Sequence, residues 1–413
     1  MSHIASGPEN EVSLPSADTG APLAGITVLD FSRFLPGQLC TSVLADFGAR
    51  VIRIENPRDI AKISSALGWD RLDQAERERI RAVDSLARNK QSVIVDIGHP
   101  DAADVLPPLI RLSSVIVEDY RPGMLDKLGW GYHDVEKLNR SINYCSLSFA
   151  GQSGPYRNKP GHDQIALALT GLLARVGEDP GKPSLPNIPL ADVTCGLQGV
   201  IGILLATMAT RQTGLGQQVD VSITESLMPF LAWLVSRLAT GAKVASRDAP
   251  RIDVGIWRTS DHAFLCLTNM EPRFWERFCT AIGREDFAAR QYDEAGYPAM
   301  RTAIEDIIGS RPIAAWLRIF QEHDVQAAPV NDISAALNDP HLRDREMIVE
   351  REAGGRTVPA IAPGVRLSRT PPRFRGLGEM PGSSTHAVLQ ELGLGDERIA
   401  ALQASGCIGK NRS

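Results

Sequence analysis

The chain has 413 residues, of which 43% are hydrophobic and 23% are charged. This length exceeds one typical domain, and the composition is typical of a globular protein with a sizeable core. The formal net charge is −5 at pH 7 and the pI is about 6.0. A chain with this charge shows no sign of a nucleic-acid footprint, so nucleic acid is excluded as an expected partner.

The cysteines and the apolar runs indicate the compartment. The six cysteines include neither a CxxC pair nor a Cys/His cluster at zinc spacing, so we expect free thiols and no metal. Residues 1–21 lack the pattern of a signal peptide, and their Ser, Pro, Gly and acidic content predicts a disordered tail. The longest apolar run, Val200 to Met208, is shorter than the ~20 residues of a membrane span. We therefore expect a soluble, cytoplasmic protein that does not enter a membrane.

Strand-like and helix-like segments alternate through the first half of the chain. Such alternation predicts an α/β fold with a doubly wound parallel sheet. No GxGxxG follows the first strand and no Walker sequence is present, so the common nucleotide-binding fingerprints are absent. The predicted strands are 26–30, 50–55, 92–96, 114–118, 142–147 and 217–221, and the predicted helices include 39–47, 101–112 and 134–139.

The pattern changes after about residue 245, where short strands precede amphipathic helices. We predict a smaller α/β domain over residues 245–330. The large domain then consists of residues 22–225 together with residues 335–413, which are rich in Pro, Gly and Arg and return to it.

The first group of candidate site residues is Gly161-His162-Asp163, followed thirty positions after the histidine by Asp192. Both aspartates fall at predicted helix starts, where backbone N–H groups favour negative charge. That setting would hold Asp192 ionised and would steady an enolate oxygen nearby. The alternative is structural, because an aspartate at a helix start is commonly an N-cap and His162 would then be a structural histidine.

Two further segments carry candidate binding residues. In the segment after the strand at 114–118, Arg121 and Lys127 would clasp phosphates and Tyr120 would stack on an adenine. An ordinary turn with solvated charges is the alternative. In the second domain, Glu271 precedes a proline, which fits either a helix cap or a site residue.

Several short motifs occur in a fixed order along the chain, from about residue 22 to residue 408. Together they make the chain resemble the class III CoA-transferases, the CaiB/BaiF family, and in motif most closely the α-methylacyl-CoA racemase branch of that family. The motifs are Pro22-Leu23-Ala24-Gly25-Ile26, Asp46-Phe47-Gly48-Ala49, Arg88-Asn89-Lys90-Gln91-Ser92, Tyr120-Arg121-Pro122-Gly123, Gly151-Gln152-Ser153-Gly154-Pro155-Tyr156, Thr213-Gly214-Leu215-Gly216-Gln217, Asn338-Asp339-Pro340-His341 and Leu389-Gln390-Glu391-Leu392-Gly393.

The resemblance implies an interlocked homodimer that acts on an acyl-CoA thioester. Coenzyme A would enter as part of the substrate, with no separate cofactor. The family often has a basic residue before the proline of its IExP segment, whereas this chain has Asn56, which puts one phosphate contact in doubt. The residues that match the family's CoA-binding positions are Phe34, Asp119, Tyr120, Arg121, Met124 and Lys127.

The resemblance also implies two possible reactions. In transferases the residue matching Asp192 attacks the thioester and forms an aspartyl anhydride, which is nucleophilic catalysis. In racemases it is one of two bases at the α-carbon, and His162 matches the other. Asp163 would orient His162, and Glu271 would lie close by. The His162-Asp163 pair favours a racemase or epimerase that inverts the α-carbon of 2-methylacyl-CoA thioesters.

Two alternatives stay open at this point. Racemases often have a glycine-rich stretch after the aspartate, whereas Val193-Thr194-Cys195-Gly196 is bulkier here, so a CoA-transferase acting through Asp192 is the alternative reaction. The absence of a glycine run between residues 241 and 330 argues against that transferase. A non-catalytic CoA-binding homologue is the third reading, but it would have lost a catalytic residue, and His162, Asp192 and Glu271 are all present.

Overall fold

The computed structural model describes residues 20–66, 68–176, 183–241, 251–353 and 355–409. The predicted N-terminal tail therefore lies outside the described residues, apart from its last two. The chain divides into two units, Met1–Ser236 with Glu346–Ser413 and Arg237–Arg345. Relative to the predicted domains, the first unit extends further, to residue 236, and resumes later, at residue 346.

The first unit is built on a six-stranded sheet whose neighbouring strands are all parallel. The strand order is β3-β2-β1-β4-β5-β6, so the first strand lies in the middle and the chain reverses direction beside it. The predicted parallel α/β sheet is confirmed. Its strands are β1 Thr27–Asp30, β2 Arg50–Glu55, β3 Lys90–Ile94, β4 Val115–Glu118, β5 Asn143–Ser148 and β6 Gln218–Ser222.

Helices cover both faces of this sheet, which explains its apolar strands. Val28 and Val51 belong to the core on one face, while their neighbours Leu29 and Ile52 belong to the core on the other. Because both faces are buried, consecutive strand residues are apolar instead of alternating with polar ones. The helices are α1 Leu35–Asp46, α2 Pro57–Ala66, α3 Gln74–Val83, α4 Ala102–Leu112, α5 Met124–Lys127, α6 Tyr132–Leu138, α7 Asp163–Leu169, α8 Leu190–Thr213 and, extending across the unit boundary, α9 Ala232–Ala239.

Helix α1 begins earlier than residue 39, where it was predicted to start. Pro36 lies in its first turn, where the missing N–H group of proline is not needed for a helical hydrogen bond. Helix α8 packs closely against α1, and a Cβ atom on Gly196 would lie 2.7 Å from the carbonyl oxygen of Pro36. A glycine at this position therefore lets α8 approach the first turn of α1 closely.

Helix α8 has a composition that the search for continuous apolar runs did not detect. By length and composition alone, its 24 residues would suffice to cross a membrane. A mostly buried core helix of a soluble protein would pass the same test, whereas only 28% of the apolar stretch of α8 is buried within the chain. The helix packs on α1, β5 and β6.

The second unit has its own sheet and core. Three antiparallel strands, in the order β7-β8-β9, pack with the helices over residues 272–322 around an aromatic core that includes Trp257, Trp275 and Phe278. The elements of the unit are β7 Val254–Arg258, β8 Phe264–Thr268, α10 Pro272–Ala281, α11 Tyr297–Ile308, α12 Ile313–Glu322, β9 Ala327–Pro329, α13 Ile333–Leu337 and α14 Pro340–Asp344.

The C-terminal segment, Glu346–Ser413, belongs to the first unit. It forms an antiparallel hairpin, β10 Ile348–Ala353 and β11 Arg356–Ile361. Two helices follow, α15 Thr385–Glu391 and α16 Asp396–Ser405. Their buried residues join the core on the face of the sheet that contains Leu29.

Candidate active site

The first unit contains a cavity of about 560 Å³ at the carboxyl ends of β1, β2, β4 and β5. Open parallel sheets bind ligands at this end, beside the point where the strand order reverses. Most of the residues predicted for the site line this one cavity. They are Phe34, Asp119, Tyr120, Arg121, Met124, His162 and Asp192.

Asp192 lies in the first turn of α8, after a proline whose side chain cannot cap the helix. The cap comes from Asp163 instead. Its carboxylate oxygen Oδ2 accepts hydrogen bonds from the amides of Ala191 at 2.5 Å and Asp192 at 3.1 Å. The Asp192 carboxylate is therefore not used as an N-cap, and its Oδ1 is buried with no hydrogen-bond partner among the described residues.

These contacts change the role expected for Asp163. We predicted that it orients His162, but within the described parts of the chain no hydrogen bond joins the two side chains. Its two hydrogen bonds go to the start of α8. Asp163 is 3% exposed, and we now assign it to positioning Asp192.

The environment of Asp192 favours a proton on its carboxyl group. Burial, and secondarily the charge of Asp163, raise the pKa of Asp192 to about 6, while His162 acts in the opposite direction. A carboxyl with this pKa is mostly ionised at neutral pH but takes up a proton readily. That is the property required of a general acid and base.

His162 lies immediately before α7, with an extended backbone at φ −137° and ψ −173°. Its ring meets the ring of Phe34 edge-on, with 6.0 Å between the ring centroids. The preceding Gly161 is needed for close packing, because a Cβ atom there would lie 2.3 Å from the ring of Phe149. The backbone thus fixes where the histidine enters the cavity.

Asp119 holds the loop between β1 and α1. Its carboxylate accepts hydrogen bonds from the amides of Arg33 at 2.8 Å and Phe34 at 2.7 Å, and from Nε of Arg33 at 3.1 Å. With these acceptor positions filled, Asp119 shapes the binding loop. It presents Phe34, whose side chain is 45% exposed, to the cavity.

The packing of Tyr120 contradicts the stacking role predicted for it. The residue is 6% exposed, and the guanidinium of Arg33 lies 3.8 Å from its ring centroid. Its hydroxyl donates to Asp59 at 2.7 Å. Because the ring is enclosed by these contacts, its faces are not available for stacking on a ligand.

The cavity carries more positive charge than the sequence predicted. Arg58 follows Asn56 by two residues and lines the same wall, so a basic group is present near the position where the family pattern expects one. Lys127, in contrast, is exposed at the end of α5 and does not line the cavity. The basic side chains that sequence reasoning missed are Arg33, Arg58, Lys62, Arg157 and Lys159.

Glu271 belongs to the second unit, where it precedes the first turn of α10. Its side chain makes no capping hydrogen bond, so the simple capping alternative is not observed. Its catalytic role stays a prediction. Over the described ranges of both units, no group of three or more His, Cys, Asp and Glu side chains is placed to hold a metal ion.

The raised pKa of Asp192 has a consequence for stability. Its folded pKa of about 6 exceeds the usual 3.8, so its contribution to stability is complete below pH 4 and is lost as pH rises through 6. We expect Asp192→Asn to raise the melting temperature at pH 7.5 by about 2–4 °C, which corresponds to about 1 kcal/mol after allowance for partial exposure. At pH 4 the two proteins should melt together, and a less stable variant at pH 7.5 would contradict this assignment.

The capping role of Asp163 can be tested through the same carboxyl. Asp163→Asn removes a like charge, so the pKa of Asp192, followed by ¹³C NMR, should fall. Asp163→Ala also removes the cap and should cost about 1–2 kcal/mol in the free energy of unfolding. Asp332→Asn is the matched control, because Asp332 caps α13 in the second unit. If the control moved the pKa of Asp192 equally, the local explanation would fail.

The open parallel sheet defines a doubly wound α/β protein. Its candidate ligand site is the cavity at the carboxyl ends of the strands, where basic side chains outnumber acidic ones and where His162 and Asp192 both lie. The family model "CoA-transferase family III" matches residues 23–382. The chain belongs to this family.

Relatives of known function divide between two activities. The chain is 32% identical to the β subunit of succinyl-CoA–L-malate CoA-transferase from Chloroflexus aurantiacus, covering 94% of this chain and 99% of that protein. It is 30% identical to α-methylacyl-CoA racemase from Homo sapiens, covering 94% and 98%. A CaiB/BaiF family protein from Brucella suis has the same fold, with a TM-score of 0.76 at 22% identity over 90% of this chain and 100% of that one.

Proposed function

We propose that the chain is an α-methylacyl-CoA racemase-like isomerase that inverts the α-carbon of 2-methylacyl-CoA thioesters. The observation that carries this proposal is that His162 and Asp192 line one cavity and that Asp192 has a pKa of about 6. Coenzyme A is bound as part of the substrate, and no separate cofactor takes part.

The reaction needs one proton to leave the α-carbon and another to arrive on the opposite face. One member of the pair, neutral His162 or ionised Asp192, removes the α-proton and leaves an enolate of the thioester. The other member, in its protonated form, returns a proton to the carbon. The α C–H bond breaks on one face and forms again on the other, the thioester C–S bond stays intact, and the pair finishes with the same total number of protons.

The basic rim of the cavity supports a CoA thioester as substrate. Lys62 and Arg121 provide positive charge for phosphate groups. Arg58 lies on the same wall but pairs with Asp96 at 3.1 Å. The position of Phe34 beside His162 restricts the space around the reacting carbon.

A CoA-transferase is the second candidate, and a specific observation favours it. The Asp192 carboxylate lines the cavity and accepts no hydrogen bond among the described residues, so it is available to attack a thioester carbonyl. That attack would form a mixed anhydride between Asp192 and the acyl group and release CoA as the thiolate. An incoming carboxylate would then attack the aspartyl carbonyl and displace the donor acid, and the CoA thiolate would attack the new acyl carbonyl, forming the product thioester and freeing Asp192. The Chloroflexus relative at 32% identity has this type of activity.

Deuterium exchange separates the two reactions. The protein is incubated with (2R)-2-methylacyl-CoA in D₂O without any acceptor acid, and the α-position is followed by NMR. We expect deuterium to enter the α-position and the 2S epimer to accumulate. The proposal fails if no exchange occurs while CoA passes to an added carboxylate and hydroxylamine traps the acyl group on Asp192.

We further propose that the chain acts in the cytoplasm as an interlocked homodimer, as the family resemblance implies. An apolar stripe on α8 supports a second copy as its occupant, because its residues recur at helical spacing and are at least one-third exposed. Monomeric proteins rarely leave such a continuous apolar surface uncovered. The stripe consists of Leu197, Ile201, Leu204, Leu205 and Met208.

Sedimentation tests the homodimer. Wild-type protein should sediment at twice the chain mass of 44.8 kDa, and Leu205→Glu with Met208→Glu should shift it towards monomer or aggregate. Leu112→Glu, on α4, is the matched control, since Leu112 is also exposed. A monomeric wild type would refute the homodimer, and binding to phospholipid vesicles would identify a membrane as the occupant instead.

A further inference from the structure

A second cavity of about 190 Å³ lies in the first unit, between the end of α3, the β10–β11 hairpin and the segment after it. It shares no lining residue with the acyl-CoA cavity. Its walls are mainly apolar, with Val83, Val358, Phe374 and Leu377 among them, and three arginines reach it. The cavity therefore combines apolar walls with positively charged side chains.

The walls of this second cavity are held in place by Asn89. Its amide nitrogen donates to Asp46 at 2.8 Å and to the carbonyl of Arg373 at 2.9 Å. Its amide oxygen accepts from the backbone amides of Arg375 at 2.6 Å and Gly376 at 3.0 Å. With φ at +61°, Asn89 keeps a backbone conformation that these contacts must maintain. The cavity is therefore preformed.

The three arginines differ in how their charges are used. Arg88 is saturated, because both oxygens of Asp46 accept from it. Arg375 donates to the backbone carbonyls of Ala45 and Ala49. Neither Arg375 nor Arg351 forms an ion pair with a carboxylate within the described ranges of the chain. One carboxylate, that of Asp84, also lines the cavity, and it pairs with Arg81 at 3.5 Å. The cavity thus retains positive charge from Arg351 and Arg375.

Arg351 carries the strongest sign of a missing partner. Its Nε is buried and has no hydrogen-bond partner among the described residues, and its guanidinium lies 4.4 Å from the ring centroid of Phe374. A buried donor without an acceptor is costly, and charged donors more so. Because Nε itself is enclosed, a ligand in the cavity would meet the terminal guanidinium nitrogens of Arg351, which lines the cavity. Those two nitrogens can bind a carboxylate with two parallel hydrogen bonds, so the site fits a planar anion.

We propose that this second cavity binds a short-chain aliphatic carboxylate, with its carboxylate on Arg351 and its chain against Phe374 and Val358. The volume corresponds to about six water-sized groups of ~30 Å³, which matches the six non-hydrogen atoms of a four-carbon acid. The apolar walls favour such an acid over a fully hydrated anion such as phosphate. The site is independent of the proposed racemase reaction.

Butyrate is the probe, followed by calorimetry and by saturation-transfer NMR with the active-site cavity filled by saturating CoA. We expect a Kd on the order of 1 mM. Arg351→Ala should weaken binding at least tenfold, and Ala360→Phe, which fills the cavity without removing charge, should do the same. Arg356→Ala is the matched control, because Arg356 is exposed on the same hairpin and should leave the Kd unchanged.

Each other outcome overturns the proposal. Unchanged butyrate binding in both Arg351→Ala and Ala360→Phe would place the ligand elsewhere, and no binding to wild type would remove the site. Phosphate binding as tightly as butyrate would identify a general anion site instead of a carboxylate site. Circular dichroism and melting temperatures show whether each variant is folded. Arg351→Ala removes a charge and Ala360→Phe fills the cavity, so the result for one variant checks the result for the other.

Discussion

Replacing Asp192 by asparagine is expected to lower kcat on an acyl-CoA substrate by about a thousandfold, the scale of losing a general acid or base. Both candidate reactions need the Asp192 carboxyl, as a base in one and as a nucleophile in the other. The substitution preserves shape and the amide that binds Asp163, so substrate binding should change little. Steady-state kinetics would show the loss in kcat with a KM within a few-fold of wild type.

The control for that experiment is Asp134→Asn, because Asp134 lies outside the cavity and pairs with Lys137 on α6. It should keep wild-type kcat. Since Asp192→Asn is also expected to be the more stable protein at pH 7.5, a loss of activity could not be attributed to unfolding. Retention of more than a tenth of the activity by Asp192→Asn would remove Asp192 from the mechanism.

His162→Ala is expected to abolish exchange of the α-proton while leaving a transferase reaction substantially active. Racemisation requires two proton-transferring groups on opposite faces of the α-carbon. Without His162, Asp192 is the one proposed group that remains. A racemase should therefore lose about 10²–10⁴-fold in the rate of epimer formation. Proton NMR in D₂O measures exchange, and a CoA-transfer assay run in parallel measures the other reaction.

The matched control is His133→Ala, whose histidine is exposed on α6 and does not line the cavity. Both reactions should proceed unchanged in it. If His162→Ala lost neither exchange nor epimer formation, the two-base mechanism would be wrong even with Asp192 essential. If it lost CoA transfer as severely as exchange, His162 would not discriminate between the reactions.

The parallel sheet was predictable because continuous runs of apolar, β-branched residues indicate strands that are buried on both faces of a sheet. The strand at Arg50–Glu55 has the predicted bounds, and the others differ by one or two residues. The start of α1 was not predictable in the same way. A proline preceded by aromatic residues reads as a loop, whereas in the structure the helix accepts Pro36 in its first turn.

The site was partly predictable for a different reason. Motif order identified His162 and Asp192, and both line the cavity. Sequence alone could not show that the buried carboxylate of Asp163 bonds to α8, because that contact joins residues 28 and 29 positions apart. Nor could it show that Arg33 covers Tyr120, since that depends on how two loops meet above the sheet.

The cap that Asp163 places on α8 has a consequence for how this family can diversify. The two hydrogen bonds tie the start of α7 to the start of α8, so changes of length between the end of α7 and Ala191 leave the Asp192 carboxyl in place. Closing a longer loop adds only about 0.6 kcal/mol per doubling of its length. Evolution can therefore alter the length of that connection while the start of α8 keeps its position.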